Sequence, residues 1–133
     1  MIDHERKFIF IHLPKTGGNS VKKALGIKGH EHNSLSYWSK DYPDYFSFAF
    51  TRNPWDRCVS AFIYLEAGGM NRGDKKAYDK HIHGLKFHEF ISKYQDTFEI
   101  PMTHFKSQDM ILDGDLDFIG KVENLQEDFN TAC

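Results

Sequence analysis

The chain has 133 residues, of which 40% are hydrophobic and 27% charged, with a formal net charge of -2. A chain of this length buries about two-thirds of the surface its unfolded form exposes, enough for one core, so a multidomain enzyme is excluded and a single domain over 1–133 is expected. With 17 Lys+Arg against 19 Asp+Glu there is no overall positive field, which argues against a nucleic-acid partner and requires any anion site to be built locally.

The N-terminal Met-Ile-Asp-His-Glu-Arg-Lys runs straight into an apolar segment. It carries neither a signal peptide nor the roughly 20 apolar residues of a membrane span, so a soluble, cytoplasmic chain with no membrane partner is expected. Lys7 to Leu13 (KFIFIHL), bounded by Pro14, has the pattern of a strand buried on both faces. A PKTGG loop follows, then a helix that Asn19 or Ser20 can cap and Gly26 can end. Residues 27–45 are polar and read as loop with one short helical turn.

Phe46 to Thr51 (FSFAFT) reads as a second strand, and Pro54 opens a helix with Trp55, Val59, Phe62, Ile63 and Glu66 at helical spacing. Gly68 to Gly84 is charged and shows no apolar period, which predicts a mobile loop. Phe87, Phe90, Ile91 and Tyr94 then mark one face of a helix, and Met102 to Leu112 is ambiguous. Leu116 to Val122 reads as a third strand, and Glu123 to Ala132 as a closing helix with Leu125 and Phe129 facing inward. Alternating strands and helices predict an α/β, P-loop-like three-layer fold with a central, mostly parallel sheet, opening on strand, phosphate loop and helix. Cys58 and Cys133 cannot build a disulfide framework, and Cys58 reads as a small buried apolar residue.

Ligands in such sheets bind beyond the carboxyl ends of strands, where two constellations stand. The first is Pro14-Lys15-Thr16-Gly17-Gly18-Asn19-Ser20. Glycines let the backbone approach an anion, the first helical N–H groups point at it, and Lys15 adds a full charge. This is not the loop of nucleotide kinases, in which the lysine follows the glycines and a hydroxyl holds Mg²⁺. Anion transfer with no obligatory metal is therefore expected. The second constellation runs Arg52-Asn53-Pro54-Trp55-Asp56-Arg57-Cys58-Val59-Ser60. Arg52 ends a strand and offers a planar fork suited to phosphate oxygens, with Ser60 two helical turns on, while Arg57 reads as a salt-bridge partner of Asp56.

Together these segments resemble the sulfotransferases that use 3′-phosphoadenosine 5′-phosphosulfate (PAPS), especially the carbohydrate (heparan or chondroitin) O-sulfotransferases. PKTGGNS is similar to that family's 5′-phosphosulfate loop and RNPWDRCVS to its 3′-phosphate motif, while Asp117 to Leu125 (DFIGKVENL) resembles a third family segment. Asn19 stands where many members carry Thr. The resemblance implies that the amides of Thr16, Gly17, Gly18, Asn19 and Ser20 hold the 5′-phosphosulfate. It implies that Lys15 stabilises the bridging oxygen as the sulfuryl group departs, and that Arg52 and Ser60 clamp the 3′-phosphate. It also implies a hydroxyl-bearing, carbohydrate acceptor and a longer chain in most members, so that Thr131-Ala132-Cys133 reads as a cut within or just after a helix.

Transfer to a hydroxyl benefits from a base, and His30-Glu31-His32-Asn33-Ser34 resembles the segment that carries the catalytic histidines of heparan 2-O-sulfotransferases. His32 is expected as base with His30 assisting, and Glu31 competes for the role. His81 and His83 form a second HxH pair, expected on an exposed loop, and His12 is expected to be structural. Tyr37, Trp38, Tyr42 and Tyr45 suit either sugar stacking or packing over the sheet. Lys75, Lys76 and Lys80 read as a solvated charge run that could attract an anionic polysaccharide. Two other functions fit less well: a P-loop-like kinase or NTPase, and a non-catalytic nucleotide-binding module.

Overall fold

The structure, a computed structural model, describes residues 1–29, 32–94 and 102–133. These form two compact units, Met1–Asn53 with Ser107–Cys133, and Pro54–Lys106.

The first unit holds a four-stranded sheet in the order β1 (Ile2–Asp3), β2 (Phe8–Ile11), β3 (Phe46–Thr51) and β4 (Phe118–Lys121). β1 runs antiparallel to β2, and β2, β3 and β4 are parallel, with Phe10 beside Phe48 and Phe50 beside Gly120. Alternation along the strands splits the core between the two faces. Phe8, Phe10, Phe48 and Phe50 face helices α1 (Gly18–Leu25) and α6 (Leu125–Ala132), where Val21, Leu25, Leu125 and Phe129 complete the cluster. Ile9, Ile11 and Ala49 face helix α2 (Leu35–Ser39) and the 108–116 segment, with Leu35, Trp38 and Ile111 packed on them. The three-layer α/β architecture expected from the sequence is the one found, with the short β1 added to the three predicted strands.

Carboxylates pin the chain where strands begin and end. Asp117 accepts from the backbone N–H of Ser47 at 2.7 Å, and Asp128 from that of Lys121 at 2.6 Å. The Ser47 bonds hold the Asp117 carboxyl below its ordinary range. Gly120 is required by space, because a Cβ there would come within 2.5 Å of the Phe50 ring.

The second unit is helical: α3 (Pro54–Glu66), α4 (Arg72–His81), α5 (Phe87–Tyr94) and a 3₁₀ turn at Thr103–Phe105. Phe62, Leu65, Ile82, Phe90 and Met102 form its core. Three expectations are corrected here. The buried face of α3 is Arg57, Ala61, Phe62 and Leu65, while Trp55, Val59 and Ile63 are exposed. Arg57 turns inward, and Nη1 and Nη2 of its buried guanidinium donate to the carbonyl oxygens of His104 and Lys106. The 68–84 segment contains a ten-residue helix, held by caps in place of an apolar period. Asn71 accepts from the amides of Gly73 and Asp74, and the buried Asp74 accepts from Met70 N–H, Asn71 Nδ2 and Tyr64 Oη. Burial raises the pKa of Asp74, but these donors outweigh it and keep the carboxyl ionised; the same pairing, after burial, pushes Tyr64 up to about 12. His81 is likewise structural, with Nδ1 at 2.6 Å from Tyr94 Oη. Among the described residues, no helix is long and apolar enough to cross a membrane.

Candidate active site

Beyond Ile11 the chain leaves the sheet through His12, Leu13 and Pro14 and turns at Lys15-Thr16-Gly17 into α1. Lys15 and Gly17 both have left-handed backbones, at φ 69° and 73°, with Thr16 between them at negative φ. Alternation of this kind turns successive N–H groups to one side and makes a concave backbone cradle for an anion. Thr16 is fully buried and locks the turn by donating from Oγ1 to the Leu13 carbonyl at 3.0 Å. Gly17 is the N-cap, which corrects the expected Asn19 or Ser20, and no side chain caps α1 among the described residues. The first turn also carries no acidic residue. Asn19 and Ser20 lie exposed in it; the Ser20 N–H donates to the Gly17 carbonyl at 2.9 Å, so it is the turn before Ser20 that presents the positive end of the helix to an anionic ligand.

Gly18 is set by contact. A Cβ there would stand 1.9 Å from the ring of His12, which is buried and stacks on Phe10. His12 is therefore structural, as expected, but it is also the hub of the site. The His32 ring lies against it with centroids 4.6 Å apart, and His32 Nδ1 is 2.7 Å from the His12 carbonyl oxygen. A carbonyl only accepts, so Nδ1 carries a proton, and in the neutral ring the lone pair is then on Nε2. The His12 residue thus ties the His32 ring to the start of the loop through its Nδ1. His30 and Glu31, the other candidates for that role, lie outside the described residues.

Arg52 follows the last residue of β3 and is partly buried. Its Nη1 is 3.5 Å from the Lys15 carbonyl oxygen, which brings the guanidinium to the turn before α1. Neighbouring bonds fix the backbone that carries it. Thr51 Oγ1 donates to the Gly120 carbonyl at 3.1 Å, and Glu123 Oε1 accepts from the Asn53 N–H at 2.6 Å. The Asn53 N–H holds the Glu123 carboxyl below the usual range. Val122 and Leu125, from the same DFIGKVENL segment, wall the loop at Gly17. The first unit therefore assembles Lys15, Thr16, Gly17, Gly18, Arg52 and His32 at the carboxyl ends of β2 and β3. Ser60 lies on α3, in the second unit.

A model of the sulfotransferase family matches residues 1–133, the whole chain. The chain belongs to the sulfotransferase family. No curated protein and no solved structure matches it. As a family member it is a transferase of sulfuryl groups, which implies a hydroxyl-bearing acceptor, and neither the kinase nor the non-catalytic reading is favoured.

Sequence reasoning missed Gln108, whose carboxamide bonds both backbone groups of Arg52, and the part played by His12. Gln108 lies in a stretch without periodicity, and a histidine at the end of an apolar run, such as His12, carries no local signal of what its ring will touch.

Proposed function

We propose that this sulfotransferase moves the sulfuryl group of PAPS to a hydroxyl, on a carbohydrate acceptor. The observation that carries the reading is the meeting of three chemistries in one unit: a glycine turn with left-handed backbones at Lys15 and Gly17, a guanidinium at its rim and a histidine whose Nδ1 is bonded to a backbone carbonyl.

The acceptor oxygen attacks sulfur as the bond from sulfur to the bridging oxygen breaks. The hydroxyl proton passes to Nε2 of His32, and adenosine 3′,5′-bisphosphate leaves with new negative charge on its 5′-phosphate. Lys15 and the amides of Thr16 to Asn19 stabilise that charge where it develops, beside the exposed Ser20. Arg52 pairs with the 3′-phosphate, the group that sets this donor apart from other adenine nucleotides. Ser60 enters as a second 3′-phosphate ligand through the resemblance alone. Carbohydrate as acceptor rests on the same resemblance; of the aromatic stretch, Trp38, Tyr42 and Tyr45 pack against the sheet core, while Tyr37 is exposed.

Calorimetric titration with adenosine 3′,5′-bisphosphate and with AMP tests the donor assignment. The wild type is expected to bind the bisphosphate at least tenfold more tightly, and Arg52→Ala to erase most of that preference, since charge-assisted bonds are each worth about 1.5–3 kcal/mol. Equal affinities in the wild type would overturn the assignment.

A further inference from the structure

The parallel pairing of β3 with β4 ends at Thr51 beside Lys121, so Arg52 projects past the ladder. A backbone N–H and carbonyl at such a point must find partners or lose hydrogen bonds. Both go to one side chain. The Arg52 N–H donates to Gln108 Oε1 at 2.9 Å, and Gln108 Nε2 donates to the Arg52 carbonyl oxygen at 2.8 Å. The pair is reciprocal and fixes the orientation of the carboxamide, whose oxygen only accepts and whose nitrogen only donates. Gln108 acts here as a surrogate strand residue and continues the ladder by one position.

Gln108 is itself anchored. Its carbonyl oxygen accepts from the N–H groups of Ile111 and Leu112, at 3.1 and 3.0 Å. Ile111 is buried against Ile9, Ile11 and Ala49 on the sheet. The connection runs from the core through a tight turn to the backbone of Arg52, whose guanidinium reaches the Lys15 carbonyl. A long side chain such as arginine has several rotatable bonds, and binding an anion with it costs less when its root is fixed.

We propose that Gln108 is a positioning residue for Arg52, and through it a determinant of the preference for a 3′-phosphorylated nucleotide. The proposal rests on the assignment of Arg52 to the 3′-phosphate. Gln108 touches no part of the donor; it acts by holding the Arg52 backbone in one conformation.

The test is calorimetric titration of adenosine 3′,5′-bisphosphate and AMP against the wild type, Arg52→Ala, Gln108→Ala and the double variant. Gln108→Glu, which keeps the length of the side chain and one of the two bonds, serves as a second variant should the alanine change impair folding, and thermal unfolding checks each protein. Gln108→Ala is expected to weaken bisphosphate binding by about tenfold, the scale of one net hydrogen bond, with AMP affinity unchanged within about twofold. Gln108→Glu is expected to lose part of the preference. In the Arg52→Ala background, Gln108→Ala is expected to cost nothing further, because residues acting through one another are not additive. Equal weakening of both nucleotides, full retention of the preference in the Gln108 variants, or a full tenfold loss in the Arg52→Ala background would each overturn the role of Gln108. A wild type without any preference would instead overturn the Arg52 assignment, so the two failures are distinguishable.

Discussion

Lys15→Gly is expected to cut sulfuryl transfer by about 10²–10³-fold, the cost of removing one group that stabilises charge in the transition state, while the protein stays folded. The separation is possible because of the Lys15 backbone. At φ 69° the residue sits in the left-handed region, where a side chain is disfavoured and glycine is at ease. Glycine removes the amine yet relieves the local strain, offset in part by the greater freedom of glycine in the unfolded chain. Thr16 Oγ1 on the Leu13 carbonyl and the buried Gly18 keep the turn in shape without the lysine side chain. Lys15→Ala should show the same loss of transfer with the strain retained. Thermal unfolding together with transfer assayed from sulfur-labelled PAPS checks both variants, and undiminished transfer in either would remove Lys15 from the chemistry.

His32→Ala and His32→Asn are expected to lose transfer by a similar or larger factor, about 10²–10⁴-fold, the usual contribution of a general base. The asparagine variant is the more informative. Its amide nitrogen can occupy the place of Nδ1 and donate to the His12 carbonyl, so the tie to His12 survives while the Nε2 lone pair is gone. Binding of adenosine 3′,5′-bisphosphate should be unchanged in both variants, since the base faces the acceptor and not the nucleotide. Transfer by His32→Asn at the wild-type rate would exclude His32 as the base and return the role to the neighbouring His30 or Glu31.

Strands buried on both faces were plain from the sequence, because Phe and Ile alternate across a sheet that has a layer on each side, and Phe8 to Ile11 and Phe46 to Thr51 lie where expected. The turn from strand to helix at Pro14 to Gly18 was equally plain, since a Gly-Gly pair between strand and helix leaves few backbone alternatives. Helix phase was harder. In α3 the apolar spacing of Trp55, Val59 and Ile63 described a real stripe, but the stripe is exposed and a buried arginine sits on the inner side. Periodicity does not reveal that Arg57 can be sunk by two backbone carbonyls. α4 escaped notice for a related reason: Asn71 and Asp74 hold its start with polar bonds, which leave no hydrophobic signature. Gln108 and Glu123 were invisible as supports of the site because each acts on the backbone of a residue more than 50 positions away, and nothing local in the sequence records such pairing. The turns that end the strands were legible; the groups that hold those turns in place were not.

The central claim is that backbone amides of the Lys15 to Ser20 turn hold the phosphate end of an adenosine 3′,5′-bisphosphate donor. Amide-resolved NMR of the isotopically labelled chain, titrated with that bisphosphate, tests it most directly. The largest shifts are expected at Thr16, Gly17, Gly18, Asn19 and Ser20, with a second set at Arg52 that AMP fails to reproduce. Saturable binding that leaves the loop amides unmoved, or no binding at all, would contradict it.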